Sequence, residues 1–156
     1  EVGEGKGLGY TVNVPFPFRI DDQIYFEAFD QIAVPIIRQY KPQFIVVSTG
    51  FDNHYSDPVA SLSLSALSYV ETFGKVLELA SKFCMGRLVA VLEGGYSRSF
   101  LGRIAVGVIA KMAGVPYLIE DKRRLADPKI QKRAKRIIEE VKAIQSSFWD
   151  LQSNFS

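Results

Sequence analysis

Residues 44–52 read FIVVSTGFD. The run is apolar and β-branched from Phe44 to Val47, stops at Gly50, and presents a carboxylate, Asp52, directly after the turn. A short continuous apolar run of this kind predicts a strand covered on both faces, as in parallel sheets flanked by helices. The pattern recurs at residues 88–96, LVAVLEGGY, where an apolar run again ends at glycine and is followed by a reactive group, the phenol of Tyr96. Between the two, Leu64, Leu67, Val70, Phe73, Val76, Leu77 and Ala80 fall at helical spacing, so residues 63–83 are predicted to be the crossover helix of a βαβ unit. Right-handed crossovers place the carboxyl ends of parallel strands along one edge, where ligands bind. Asp52 and Tyr96 are therefore expected on a common rim.

Working outward, a helix of about 18 residues is predicted to follow Asp21 and Asp22. Asp21 and Asp22 offer N-caps, and Ile24, Phe29, Ile32, Ile36, Ile37 and Tyr40 follow helical spacing. Pro35 is expected to kink or break that helix. Residues 10–14, YTVNV, read as a short strand closed by Pro15 and Pro17, and the glycine-rich opening EVGEGKGLG reads as loop. Residues 99–112 predict a helix that is apolar nearly all round and should be well covered. A last helix begins with Asp127 as cap and Pro128 at its first position, with the stripe Ile130, Ala134, Ile137, Ile138, Val141, Ile144 turned inward. The end, residues 146–156, is expected to be a loosely held tail anchored by Phe148 and Trp149. This alternation predicts an α/β architecture, a three-layer α/β/α arrangement with a mainly parallel sheet. It forms one domain unit, residues 1–118 being the α/β part and 119–156 the C-terminal helix and tail.

Composition narrows the function. The chain has 156 residues, 47% hydrophobic and 23% charged, and its 11 Phe, 7 Tyr and 1 Trp exclude a disordered polypeptide. The formal net charge of +2 excludes a nucleic-acid polyelectrolyte. Nine of the 19 basic residues fall between positions 122 and 142, and a docked amphipathic helix with a solvated basic face is preferred there to a nucleic-acid arm. No apolar run reaches the roughly 18 residues of a membrane span. A lone cysteine, Cys84, excludes internal disulfides and suits a reducing cytoplasm. With one histidine, His54, any metal or acid–base chemistry must be built almost without imidazole. The opening GEGKGLG is not a phosphate loop, because Lys6 is followed by Gly7 and the segment precedes a strand.

Three collinear blocks, GKGLGYTVNVP (5–15), STGFDNHYSDP (48–58) and LEGGY (92–96), resemble the histone deacetylase superfamily, which includes the acetoin-utilisation and acetylpolyamine amidohydrolase proteins. The resemblance implies a zinc-dependent deacetylase on an arginase-like α/β fold, acting on acetyl-lysine or a related acetylated amine. It makes Asp52 a zinc ligand and Tyr96 the phenol that stabilises the tetrahedral oxyanion. Gly94 and Gly95 become glycines that let the backbone approach the acyl channel, and Pro58 and Val59 lie near its mouth. The resemblance also places Tyr10 near a structural monovalent-cation site, for which potassium is the implied ion. Val59 is neutral and offers no acidic gate for a polyamine. The family's Asp-x-His ligand pair and its paired acid–base histidines have no counterpart, and His54 is read as a loop histidine without a catalytic role. The missing groups, and an opening at Glu1 without an initiator methionine, imply the C-terminal half of such an enzyme, inactive alone, whose partner is the N-terminal half of the same fold or a second copy. The alternative is a non-catalytic protein-binding or dimerisation module derived from that fold.

Overall fold

A computed structural model describes residues 1–151. Two parallel strands, β1 (Ile45–Thr49) and β2 (Leu88–Leu92), pair in register from Ile45↔Leu88 to Thr49↔Leu92. Helices α1 (Asp22–Ala28) and α2 (Val34–Tyr40) precede the sheet, and α3 (Ala66–Cys84) connects its strands. Helices α4 (Leu101–Ala113) and α5 (Pro128–Gln145) follow. The βαβ unit is thus formed as its periodicity predicted, within an α/β fold.

Helix α3 starts later than residue 63 because the Ser65 hydroxyl caps it, accepting the Ser68 N–H. Tyr69, Phe73, Val76, Ala80 and Cys84, spaced three and four apart, form its buried face. Leu64 is buried too, but just ahead of the helix. Asp21 caps α1 by accepting the Ile24 N–H at 3.0 Å. Pro35, expected to kink or break the helix, interrupts its regular winding: a wide π turn, Phe29–Ala33, joins α1 to α2, with Pro35 in the first turn of α2. Proline cannot pair with the carbonyl four residues back, that of Gln31, and the wider turn around Gln31 absorbs the mismatch.

Two apolar clusters hold the molecule. Ile20, Ile24, Ala28 and Ile32 pack against Ala126, Ala134, Ile138 and Val141, which docks α5 on α1. Phe51, Leu64, Tyr69, Phe73, Ile104 and Val108 form the second, against which Val47 and Ala90 of the sheet lie.

Three expectations are corrected. Residues 10–14 form no strand among the described residues. Val12 and Val14 are half-buried against the first cluster and Thr11 and Asn13 are exposed, so the alternation is present without a ladder partner. The strands are covered on one face only, since Val46, Val89 and Val91 remain 67%, 44% and 49% exposed. Helix α4 buries Ile104, Gly107 and Val108 but leaves Val106 and Ile109 open, so it is covered on one side rather than all round. The end of the chain is tied down as far as it is described. The Trp149 indole donates to the Gly9 carbonyl at 2.8 Å, and its ring meets Tyr10 and Tyr40 edge-on. Residues 152–156 of the expected tail lie outside the described residues.

Candidate functional site

Both strand ends deliver their loops to the same edge. The ladder continues past β1 and β2 through Glu93 N–H to the Thr49 carbonyl at 3.0 Å and Phe51 N–H to the Gly94 carbonyl at 2.8 Å. This lays the Asp52 loop against Gly94-Gly95-Tyr96. The approach is close enough to require glycine: a Cβ on Gly94 would stand 2.0 Å from Asp52 Oδ2. Gly95 has φ +138°, and a Cβ there would meet Leu101 Cδ1 at 2.9 Å and Phe51 Cβ at 3.1 Å.

The Asp52 carboxylate is half-buried and, among the described residues, has no hydrogen bond or ion pair. Other carboxylates nearby are engaged. Asp57 is buried, and its Oδ2 accepts the N–H groups of Tyr96 at 2.6 Å and Ser97 at 2.8 Å, while Oδ1 accepts that of Val59 at 3.1 Å. Burial alone would push the Asp57 carboxyl up, but these three donors outweigh it and hold it below the ordinary carboxylate value. Tyr96 itself is 59% exposed, as is Val59. Pro58 is exposed beside Val59, so the residues expected at a channel mouth stand on the loop that Asp57 ties to Tyr96.

Asp52 and His54 have Asp-x-His spacing, yet they do not act as a pair. His54 is fully buried, with Nε2 on Asp121 Oδ2 at 3.0 Å and Nδ1 on the Ser56 hydroxyl at 2.9 Å. Its ring stacks on Phe100, with centroids 4.2 Å apart. Both ring nitrogens are thus engaged, and the imidazole joins Asp121 to Ser56. Asp121 also accepts the Ala66 N–H at 2.7 Å and the Tyr55 hydroxyl at 2.7 Å. Burial opposes ionisation of Asp121, but these donors and His54 prevail and its carboxyl titrates below the ordinary range. Tyr55 moves the opposite way, its phenol pushed up by burial and by the Asp121 carboxylate. Tyr10 is elsewhere: its ring contacts are Tyr40 and Trp149, neither of which belongs to the rim.

A metal needs several ligands. Among the described residues no group of three His, Cys, Asp or Glu side chains comes together. Asp52 fits as one carboxylate ligand of a divalent ion, and these residues do not complete a site, for which a catalytic zinc takes three protein ligands. Asp57 and Asp121 were not singled out by the sequence, although Asp57 lies within the block at 48–58. Their partners are Tyr96 and Ala66, 39 and 55 residues distant, so only folding reveals them.

Residues 1–112 match the family model for the histone deacetylase domain. A probable deacetylase of Archaeoglobus fulgidus is 43% identical over 162 residues, an alignment covering 96% of this chain and 44% of that protein. The histone deacetylase-like amidohydrolase of Pseudomonas aeruginosa is 34% identical over 78% of this chain and 32% of its own length. Among solved structures, the histone deacetylase Clr3 superposes with a TM-score of 0.81 at 28% identity, covering 97% of this chain and 24% of that one. The HDA15 HD domain gives a TM-score of 0.78 at 28% identity, covering 95% and 38%. The chain thus spans less than half the length of each of these relatives.

Proposed function

The chain belongs to the histone deacetylase family, and on that premise we propose that it is the C-terminal portion of a zinc-dependent deacetylase that hydrolyses acetyl-amide bonds, with acetyl-lysine or a related acetylated amine as substrate. The observation that carries this reading is the Asp52 carboxylate, without a hydrogen-bond or ion-pair partner among the described residues and pressed against Gly94 on the edge that also presents the Tyr96 phenol. In the complete protein Asp52 is one zinc ligand. When bound, zinc supplies Lewis-acid polarisation of a carbonyl and activation of water. Tyr96 donates its phenolic hydrogen bond to the acetyl oxygen as negative charge develops there, a contribution that a preorganised donor makes mainly in the transition state. Gly94 and Gly95 leave space for the acyl group, and Pro58 and Val59 border its entry. The backbone at Tyr10 contributes to a potassium site apart from the rim.

The remaining ligands and the acid–base histidines come from an N-terminal portion, and the two together form the domain of which residues 1–118 and 119–156 are the α/β part and the C-terminal helix. That portion also covers the open Val46, Val89, Val91 face. The free, buried Cys84 suits a cytoplasmic setting. No helix among the described residues is long and apolar enough to cross a membrane.

The test compares zinc content and turnover of an acetyl-lysine peptide between this chain and a version extended at its N-terminus. The chain alone is expected to hold little zinc and to be inactive, and the extended protein to have both properties. In the extended protein Asp52→Ala should lose zinc. Tyr96→Phe should keep it and lose about 100- to 1,000-fold in kcat. Full activity in the Tyr96→Phe protein would refute the assigned role. An extended protein that takes up no zinc and cleaves no acetyl amide would leave the non-catalytic binding module as the better reading.

A further inference from the structure

We propose that Asp57 is a positioning residue for Tyr96, its carboxylate setting where the phenol stands on the rim. The proposal rests on the reading of Tyr96 as the oxyanion donor. A donor of that kind contributes only if it is held in place before the reaction, and a displacement of about 1 Å can cost on the order of 100-fold in rate.

Nothing in the Tyr96 side chain holds it: among the described residues its ring makes no aromatic contact and its hydroxyl no hydrogen bond, and it follows two glycines that impose little restraint. What is fixed is its backbone. One oxygen of Asp57 takes both consecutive N–H groups, of Tyr96 at 2.6 Å and of Ser97 at 2.8 Å. The other oxygen takes the Val59 N–H at 3.1 Å, so the carboxylate cannot rotate without breaking a bond. Asp57 is anchored in turn by its own N–H on the His54 carbonyl at 2.8 Å. A second tether joins the same two loops, from the Ser97 hydroxyl to that of Ser56 at 2.9 Å and on to His54 Nδ1 at 2.9 Å. The buried, ionised carboxylate thereby links the loop after β1 to the segment carrying the phenol. An amide in its place would keep the shape but present an NH2 to one set of donors, opposing donor to donor.

The experiment is a double-mutant cycle in the N-terminally extended protein. Asp57→Asn is expected to lower kcat about 10- to 100-fold, with KM for the acetyl-lysine peptide within twofold and zinc content unchanged. Added to Tyr96→Phe, it is expected to cost nothing further, because a misplaced phenol and an absent one are equivalent. An additive effect, or full activity in Asp57→Asn, overturns the proposal while leaving the role of Tyr96 intact. Full activity in Tyr96→Phe instead overturns the reading on which it rests. A readout independent of activity and of that variant's folding is amide hydrogen exchange in the unsubstituted chain. The Tyr96 and Ser97 amides are expected to exchange at least 100-fold more slowly than in an unfolded peptide, and exchange at the unfolded rate overturns the proposal.

Discussion

Asp57 and Asp121 are carboxylates turned inward and supplied with backbone donors, and both are held below the ordinary carboxylate value of 3.8. A depressed folded-state pKa stabilises the native state above the unfolded value, and that stabilisation is lost as pH falls through the folded one. Thermal melts of the chain should therefore show a Tm that declines below about pH 4. Asp121→Asn is expected to weaken that decline and to cost about 2 kcal/mol at neutral pH, because it leaves His54, Tyr55 and the Ala66 N–H short of a charged acceptor. Urea denaturation checks the cost, and an unchanged pH slope would show that Asp121 is not one of the groups responsible. Gly94→Ala tests the contact between loops. A methyl group 2.0 Å from Asp52 Oδ2 must displace that carboxylate, so zinc uptake by the extended protein should fall at least tenfold while helix content by circular dichroism is retained. Unaltered zinc affinity would separate Asp52 from the metal.

At the scale of elements, the start of α3 is joined to α1 and to the segment before α5 through buried carboxylates. Asp22 accepts the Ser65 N–H at 2.8 Å and the Ser65 hydroxyl at 2.6 Å, and its Oδ2 also takes Arg123 at 3.1 Å. Asp21 caps α1 and accepts the Ala126 N–H at 2.9 Å. Aspartates that are ordinary caps by sequence thus serve as joints between elements. Ser65→Ala is expected to cost about 1–2 kcal/mol, the range of a lost N-cap. Asp22→Ala should cost more, since it strips partners from α3 and from Arg123 together. Equal costs in urea titration would mean that the Arg123 contact adds nothing and that Asp22 acts through Ser65 alone. The βαβ unit was legible because two short β-branched apolar runs ending at glycine flank a long stretch of helical apolar spacing. Residues 10–14 misled because alternation reports a half-buried extended segment whether or not a ladder partner exists.

Across the whole molecule the notable surface is the uncovered face of the sheet, where Val46, Val89 and Val91 lie side by side. Apolar strands of this kind are normally covered by a second layer of helices. The isolated chain is therefore expected to self-associate at micromolar concentration, and Val89→Lys with Val91→Lys to return it to a monomer in sedimentation velocity. A wild-type chain that stays monomeric would show that the face is tolerated in water.

The sequence by itself determined the strand–helix–strand unit and the two loops at its carboxyl edge, because hydrophobic period and glycine placement are local properties that a single strand or turn already expresses. The family was legible only as the resemblance of the blocks at 5–15, 48–58 and 92–96. The sequence also placed Asp52 and Tyr96 on one edge, since parallel pairing leaves little choice. Only the tertiary structure decided that His54 is enclosed, that Asp57 grips the Tyr96 backbone, that Asp121 reaches back to α3, and that the sheet stands open on one face. The first three depend on pairing groups dozens of residues apart, and a donor or acceptor carries no local mark of the distant partner it will meet. The open face depends on which elements pack against the sheet, which an apolar run does not specify.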